Sequence, residues 1–364
     1  MQALFWISAA FLAYVYVGYP ALLGVWAWVH GRLQPASTRG FRLQAEDFRL
    51  KPEATPVSVI IAARNEAARL PARIQNLLES DYPADRLEIV VASDGSTDAT
   101  REALAPCRHR VALVELPPSG KAVALNAAVA RARHPILVFA DARQRFAPDA
   151  IARLVEHFSN PGIGAVSGEL QIDRAGSTIG DGVGAYWTYE TWLRRREALV
   201  GSTLGVTGAI YAMRRDLWTP LPADTLLDDV LAPMRVVLGG RRVIVDHRAR
   251  AFDEAAADAP AELRRKVRTL AGNFQLMAQE PRLLVPLVNP VWLQFMSHKV
   301  GRLFAPYALV ALLVASAALA LESAFYAAAL GGQLVFYALA LYGARLDRRE
   351  RLVPARGEVY REAA

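Results

Sequence analysis

Four aspartates stand where carboxylates can hold a cation, bind a polar ligand or accept a proton. Asp94 and Asp141 closely follow short apolar runs, whereas Asp228 and Asp229 stand together before an apolar, helix-like stretch. In an open parallel sheet, ligands bind beyond the carboxyl ends of the strands, so residues that follow such runs are candidates for a binding site. We therefore expect Asp94 and Asp141 to lie at one rim of a sheet.

The segments that must position these acids alternate between strand-like and helix-like patterns. Strand-like runs are Val57–Ala63, Leu87–Ala92, Val111–Leu116, Ile136–Ala140, Ile163–Leu170 and Val206–Met213. Helical spacing occurs in Leu70–Leu78, in Ala122–Ala132 and from Pro148 to Phe158. This alternation is typical of an α/β fold with a doubly wound sheet.

Composition excludes several classes of function. With 364 residues and 21% charged residues, the chain can form a full α/β domain plus further elements. The net charge of +7 comes largely from arginines beside apolar segments, and no basic run interleaved with aromatics occurs elsewhere, so we expect no nucleic-acid partner. The single cysteine, Cys107, excludes an internal disulfide, and the six histidines lack metal-binding spacing.

Three uncharged segments have lengths near the ~20 residues that cross a bilayer: Ala3–Val29, Phe304–Leu321 and Ala324–Gly343. A cleaved signal peptide is the competing interpretation of the first segment, but it lacks a basic leader and is too long for an h-region. Arginines follow the first segment and flank the other two, so the positive-inside rule places the central region and the tail in the cytoplasm. Leu283–Met296 is shorter and contains two prolines, so we expect it at the membrane interface with Trp292 as an anchor.

Five motifs follow one another between about residues 55 and 270. They are VSVIIAARNEAARL, EIVVASDGSTDAT, SGKAVALNAA, LVFADAR and TLLDDVLAPMRVVLGG. In this order and spacing, they resemble the membrane-bound family 2 glycosyltransferases of the GT-A fold. The resemblance implies a mostly parallel, doubly wound sheet between an N-terminal transmembrane helix and a C-terminal transmembrane hairpin. It also implies inverting transfer of a sugar from a nucleotide diphosphate, with UDP as the nucleotide.

The resemblance and the apolar segments together divide the chain. The expected parts are residues 1–32 as an N-terminal anchor, 33–54 as a linker, 55–275 as a cytoplasmic GT-A domain, 276–302 as an interfacial segment, 303–345 as two transmembrane helices, and 346–364 as a cytoplasmic tail. The expected location is a bacterial inner membrane.

The nucleotide-binding residues implied by the resemblance follow the first two strands and precede one helix. They are Ala63, Arg64, Asn65, Glu66, Asp94, Gly95 and Lys121, joined by Asp141 and Arg143. A simpler interpretation of Asp94 and Gly95 is a turn signal, and Lys121 can also be an exposed lysine on a solvated helix face.

Family members usually carry Asp-x-Asp after the fourth strand, where a divalent cation bridges the carboxylates and the phosphates. Here the residues are Asp141, Ala142 and Arg143, and an arginine cannot ligate a cation. Asp141 is therefore the one metal ligand implied, for Mg²⁺ or Mn²⁺. Either Arg143 turns away and phosphate and water complete the metal shell, or its guanidinium supports the phosphates in place of some metal charge.

The family places its catalytic aspartate second in an acidic pair before a helix, which implies Asp229 as the base and Asp228 as its neighbour. Two acids at a helix start can also be only a cap with dipole support. Thr207 and Gly208 resemble the segment that lines the acceptor side, although the glycine is equally consistent with packing.

The acceptor is the least specified part of the reaction. Processive synthases carry Gln-x-x-Arg-Trp, and this chain offers only Arg265 and Arg268 at the matching spacing. We therefore expect single-sugar transfer to a lipid-linked or saccharide acceptor, in cell-envelope or exopolysaccharide synthesis, with other envelope-polysaccharide assembly proteins as further partners. A processive polysaccharide synthase subunit and an inactive glycosyltransferase-like scaffold remain the alternatives. A channel subunit is disfavoured because the apolar hairpin contains no intramembrane charge to mark a pathway.

Overall fold

A computed structural model of the chain describes residues 1–33, 55–173, 180–254 and 259–350. Its described residues fall into two compact units. The first unit contains residues 1–20, 180–185 and 301–350, and the second contains residues 21–33, 55–173, 186–254 and 259–300. The site described below lies within the second unit.

The helices and strands follow in a mixed order along the chain. The helices are α1 Gln2–Ala13, α2 Tyr19–Leu33, α3 Leu70–Leu78, α4 Thr100–Ala103, α5 Lys121–Arg131, α6 Ala150–Val155, α7 Gly180–Val200, α8 Asp228–Leu238, α9 Ala259–Gln279, α10 Trp292–Gln294, α11 Gly301–Leu319 and α12 Ala324–Glu350. The strands are β1 Val57–Ala63, β2 Leu87–Asp94, β3 Val111–Leu116, β4 Ile136–Ala140, β5 Arg145–Phe146, β6 Ile163–Asp173, β7 Ile210–Arg214 and β8 Arg242–Glu254.

All eight strands form one sheet in the order β3-β2-β1-β4-β7-β6-β8-β5. The strands β3, β2, β1 and β4 run parallel, and so do β6 and β8, while β7 is antiparallel to both of its neighbours. The carboxyl ends of β1, β2 and β4 therefore meet at one edge, as the sequence predicts. The expected α/β class with a mostly parallel sheet is confirmed.

Helices cover both faces of the sheet. Successive side chains of a strand point to opposite faces, and in the central strands the side chains on both faces are apolar. On β1, Val59 and Ile61 belong to the core under α3 and α6, whereas Ile60 belongs to the core under α5 and α8. A strand buried on both faces has no polar side to mark its period, which explains its nearly continuous apolar sequence. The doubly wound arrangement is the consequence.

Three strands differ from the sequence-based expectation, and the shortest of them, the two-residue β5, was not predicted. The strand β8 was not predicted, because charged residues such as Asp246 and Arg248 interrupt its apolar pattern; these two side chains pair with each other. The strand β7 begins at Ile210 rather than Val206, since the Val206 N–H donates to the Asp229 carbonyl (2.9 Å) instead of joining the sheet. This contact brings the segment after Val206 to the start of α8.

Three helices in the described part of the chain are long and apolar enough to span a membrane: Gln2–Arg32, Trp292–Leu319 and Ala324–Gly343. The first contains a π-helical turn at Tyr14–Gly18, beside Pro20. The second begins at Trp292 rather than Phe304, so the latter half of the segment expected at the interface is continuous with the span. In the first unit, Phe5 of α1 packs against Ala315 and Leu319 of α11.

Candidate functional site

Lys121 joins two of the predicted acids at the edge of the sheet. Its Nζ lies 3.5 Å from Oδ1 of Asp141, which follows β4, and 3.3 Å from Oδ2 of Asp228, in the first turn of α8. The side chains of Lys121 and Asp141 are about two-fifths exposed (42% and 39%), whereas that of Asp228 is 11% exposed. The lysine thus links the end of a strand to the start of a helix while remaining open to a ligand.

The pKa values of this group follow from burial and mutual charge. Burial alone would lower the pKa of Lys121, but Asp228, Asp141 and Asp229 outweigh it and raise that pKa, so the ammonium stays charged. Burial, and then the neighbouring Asp228, raise the pKa of Asp229 above that of an ordinary aspartate, while Lys121 partly opposes the shift. A carboxylate with a raised pKa is a stronger base, which suits proton transfer from an acceptor hydroxyl.

Asp94 fixes the loop that leads into Lys121. Its Oδ1 accepts hydrogen bonds from the backbone N–H groups of Ser119 (2.6 Å) and Gly120 (3.0 Å). Asp94 is therefore more than a turn residue, because its carboxylate binds a loop that is distant in sequence. Arg64 follows β1 and approaches Asp94 Oδ2 at 4.0 Å with a largely exposed side chain. The two predicted nucleotide-binding strands therefore meet here, and Asp94 connects them to the lysine.

The segment after β1 is also held against the segment after β2. Asn65 adopts a left-handed backbone (φ 55°), and its side-chain oxygen accepts the Thr97 N–H at 2.8 Å. The Glu66 carboxylate lies 2.9 Å from Arg69 of the same segment. Ala63 is the last residue of β1 and pairs with Ser93 of β2. The structure thus brings Arg64 and Asn65 beside Asp94, whereas the side chain of Glu66 is turned toward Arg69.

Gly95 is required by the turn after Asp94. Its φ is +58°, and a Cβ at this position would overlap the ring and the backbone nitrogen of Pro118. We expect Gly95→Ala to destabilise the protein by more than the about 1–2 kcal/mol of a left-handed alanine alone and to weaken nucleotide binding through displacement of Asp94. Gly240→Ala is the matched control, because Gly240 has φ +79° but open space around the missing Cβ. Equal losses of unfolding free energy in denaturant titrations of the two variants would contradict the role given to the Pro118 contact.

Arg143 stands where the family pattern has a second aspartate, and it is tied to β8. Its guanidinium hydrogen bonds to Asp253, and Gln144 Nε2 donates to the same carboxylate oxygen at 2.9 Å. Asp253 is buried, while the Arg143 side chain is 46% exposed. Of the two interpretations of this residue, the geometry favours an arginine that is engaged by the protein itself.

A buried arginine on α3 holds the loop between β4 and β5. The Arg73 guanidinium lies 3.9 Å from the centre of the Phe146 ring and donates to Asn76, whose amide in turn exchanges hydrogen bonds with the Phe146 backbone. Burial lowers the pKa of Arg73, and the charge of Asp141 opposes that shift. Arg73 therefore anchors the loop that begins with Asp141. This role could not be predicted, because Arg73 stands in an ordinary helical sequence pattern.

Thr207 and Gly208 lie against the predicted base. A Cβ on Gly208 would stand 3.3 Å from the Asp229 Cβ and 3.6 Å from Oδ2, so the glycine allows close approach to this carboxylate. The Thr207 N–H donates to Ser167 Oγ at 2.9 Å, which orders the segment on its other side. Tyr211 of β7 lies nearby: burial first, and then Asp228 and Asp229, raise the pKa of its hydroxyl. Tyr211 was not predicted as a site residue, because its ring continues an apolar strand.

The two predicted arginines of α9 are not joined to this group in the described contacts. Arg268 is exposed on α9, and the side chain of Arg265 lies outside the described residues. The interpretation of these residues as acceptor ligands stays a prediction.

A separate group with metal-ligand geometry is made of Glu156, His157 and Asp246. Arg248 pairs with both carboxylates, and His157 Nε2 lies 2.8 Å from Asp246. A cation would have to displace the guanidinium from these carboxylates. The group is therefore a structural ion-pair network, and Asp141 remains the better candidate for a metal ligand.

A known protein family matches the part of the chain that contains most of these residues. The family model described as glycosyl transferase family 2 matches residues 58–218, which contain β1 to β7 and most of the site. A beta-monoglucosyldiacylglycerol synthase of Synechocystis is 31% identical over 138 residues, which is 36% of this chain and 27% of that protein. A synthase of the same name from Nostoc is 26% identical over 192 residues, covering 50% and 41%. The chain thus spans less than half the length of these curated relatives.

A solved structure is similar over almost the whole chain. The mannosyltransferase PcManGT from Pyrobaculum calidifontis, in complex with GDP-Man and Mn²⁺, is 27% identical, covers 93% of this chain and 92% of its own, and has a TM-score of 0.67. The expected GT-A-type α/β fold is confirmed, with apolar helices at both ends as candidate membrane spans.

Proposed function

We propose that this chain transfers a sugar from a nucleotide diphosphate sugar to a lipid-linked or saccharide acceptor at a membrane surface. The match of residues 58–218 to the glycosyl transferase family 2 supports the proposal. One observation carries the proposal. Lys121, Asp141, Asp228 and Asp229 come from three separate segments and meet at the carboxyl edge of the sheet. The reaction needs a cationic place for the departing diphosphate and a base for the acceptor, and this group supplies both.

The residues present fit a divalent cation. Around Lys121, three carboxylates face one ammonium, which leaves an excess of negative charge, and Asp141 is half-exposed. Mg²⁺ and similar hard cations commonly use one or two carboxylates together with substrate phosphates, so a single Asp141 ligand is sufficient. Asp141 would hold the ion, and the bound ion would neutralise charge on the leaving diphosphate. The Mn²⁺ in the PcManGT complex supports this assignment.

The chain's own residues account for the remaining steps. Asp94, Arg64 and Asn65 would hold the nucleoside at the ends of β1 and β2, and the Lys121 ammonium would contact the diphosphate. Asp229 would take the proton of the acceptor hydroxyl as its oxygen attacks the anomeric carbon and the nucleoside diphosphate leaves. Asp228, paired with Lys121, would keep the lysine between the two carboxylate-bearing segments.

The membrane enters the proposal through the apolar helices and α9. The described α9 exposes Val267, Leu270 and Phe274 on one side, beside the exposed Lys266 and Arg268. Such a helix suits an interface with anionic lipid, which agrees with a lipid-linked acceptor and with a cytoplasmic position of the catalytic domain. The relatives named as glucosyldiacylglycerol synthases support a lipid acceptor.

A donor panel tests the proposal directly. We expect the purified full chain, given UDP- and GDP-sugars with Mg²⁺ or Mn²⁺, to release nucleoside diphosphate from one donor and to do so several-fold faster when membrane lipid is added. Thin-layer chromatography of the lipid fraction should show the sugar transferred. Tight binding of a nucleotide sugar with neither hydrolysis nor transfer would instead favour the inactive scaffold.

A further inference from the structure

A small cavity is lined by Thr207, the neighbour of Gly208, and by none of the proposed phosphate-binding residues. The lining residues important here are Ser167, Glu169, Glu190, Thr191, Arg194 and Thr207. Thr207 joins the cavity to Gly208, whose α-carbon faces the Asp229 carboxylate. Neither Lys121 nor Asp141 lines it. In an inverting transfer, the incoming oxygen must approach the anomeric carbon from the side opposite the leaving diphosphate. The cavity is therefore in a suitable place to bind an acceptor.

The carboxylates that line the cavity already have cationic partners. Glu169 accepts two hydrogen bonds from Arg195 (2.7 and 2.8 Å). Glu190 lies 3.3 Å from Arg194 Nε and 3.3 Å from the buried His298. These acids are therefore neutralised within the protein and do not determine the charge of the ligand.

Two cations have bonding capacity left: Arg194, which lines the cavity, and Lys299, which follows the His298 that contacts Glu190. Among the described residues, Arg194 donates one hydrogen bond, through Nε, so its two Nη groups are available. Lys299 is partly buried and forms no ion pair with any described residue, while the charges of Arg194, Glu190 and Asp229 act on it. Arg194 and Lys299 also act on Asp229, and both lower its pKa against the effect of burial. Arg194 thus lines the cavity, and the charges of both cations reach Asp229.

Lys299 lies in a helical turn that is packed against α7. It belongs to the π-helical turn Phe295–Val300, and π-turns inside helices often mark functional sites. The preceding residue, His298, is buried and lies between Glu197 (2.8 Å) and Glu190 (3.3 Å) of α7. The helix from Trp292 continues to Leu319 as a candidate membrane span. Lys299 is therefore positioned near the end of a span, where a lipid head group would arrive.

We propose that Arg194 and Lys299 bind a phosphate group of the acceptor, and that this acceptor is a lipid whose hydroxyl, a few atoms from the phosphate, faces Asp229. The inference rests on the proposed function and names its acceptor class. A guanidinium binds phosphate through two parallel hydrogen bonds, and an ammonium adds a point charge. The nucleophile is the hydroxyl: its oxygen bonds to the anomeric carbon, the bond to the diphosphate breaks, and the proton passes to Asp229. A phosphatidyl alcohol and a sugar on a polyprenyl diphosphate share this chemistry.

Binding and transfer by the full chain in neutral-lipid nanodiscs test the proposal. The probes are short-chain phosphatidylglycerol, the matching diacylglycerol, a polyprenyl-diphosphate sugar and free glycerol 3-phosphate. We expect phosphatidylglycerol or the polyprenyl-diphosphate sugar to bind at least about 10-fold more tightly than diacylglycerol, and whichever binds better identifies the source of the phosphate. Arg194→Gln and Lys299→Met should each weaken that binding about 10- to 100-fold, and Arg194→Lys should restore part of it.

The matched control is Arg196→Gln, on the same helix, where the guanidinium lies over the Trp192 ring and does not line the cavity. It should leave acceptor binding unchanged. Affinity for the donor nucleotide should remain within about twofold in Arg194→Gln and Lys299→Met, because neither residue is among those assigned to the nucleotide. Equal affinity for diacylglycerol and both phosphate-bearing lipids, or phosphate binding unaffected by both substitutions, would overturn the proposal while donor hydrolysis persists. Absence of donor turnover in the wild-type protein would instead remove the proposed function itself.

Discussion

Asp229→Asn is expected to lower the rate of sugar transfer by roughly 100- to 10,000-fold, the usual contribution of a general base. The asparagine has nearly the shape of the aspartate, so contacts with Gly208 should be kept. It cannot accept the acceptor's proton. Because the substitution also removes a negative charge near Lys121, binding of the anionic nucleotide should be retained or slightly strengthened.

Asp216→Asn provides the control for Asp229→Asn. Asp216 is exposed in the short helical turn Arg215–Leu217 and contacts none of the site residues in the described structure. Turnover and nucleotide affinity should both be unchanged. A loss of nucleotide affinity in Asp229→Asn as large as the loss in turnover would show a structural role, and near wild-type turnover would show that another group is the base.

Removal of divalent cations is the second change with a large expected effect. In excess chelator, transfer should fall at least about 100-fold, because Lys121 alone would have to compensate the leaving diphosphate. Restored Mg²⁺ or Mn²⁺ should recover it. Asp141→Asn should raise the concentration of ion needed for half-maximal activity by about 10- to 100-fold, since it removes the one carboxylate assigned as ligand.

Arg143→Gln separates the two interpretations of the residue that replaces the second aspartate. Since Arg143 is engaged by Asp253 and Gln144, its loss should alter the metal requirement much less than Asp141→Asn does. Full activity of the wild-type protein in chelator, abolished by Arg143→Gln, would reverse this assignment and make the guanidinium the phosphate ligand.

Much of the proposed donor site was predictable because it follows from strand order. Apolar runs buried on both faces identify β1, β2 and β4, and the carboxyl ends of parallel strands must meet at one edge, which places Asp94 near Asp141. The contact of Lys121 with Asp141 and Asp228 depends on helix ends and was not predicted; the family resemblance implied only that Lys121 binds the nucleotide.

Apart from Thr207 and Gly208, the proposed acceptor site was not predicted, since it depends on long-range pairing between charged residues. Glu197 and His298 are far apart in sequence yet form a buried hydrogen bond of 2.8 Å. Nothing in the periodicity of α7 distinguishes a glutamate that packs inward from one that faces water. The strand β8 was not predicted for the same reason. Its charged residues Asp246, Arg248 and Asp253 interrupt the apolar pattern but form ion pairs within the protein.

A structure of the protein with Mn²⁺ and a nucleoside diphosphate is the most direct test of the account. We predict that the ion binds Asp141, that a phosphate oxygen lies within hydrogen-bond distance of Lys121 Nζ, and that Asp229 faces the open side where the sugar would be attached. A diphosphate bound elsewhere, with Lys121 still paired only to Asp141 and Asp228, would contradict the assignment of this edge of the sheet as the transfer site.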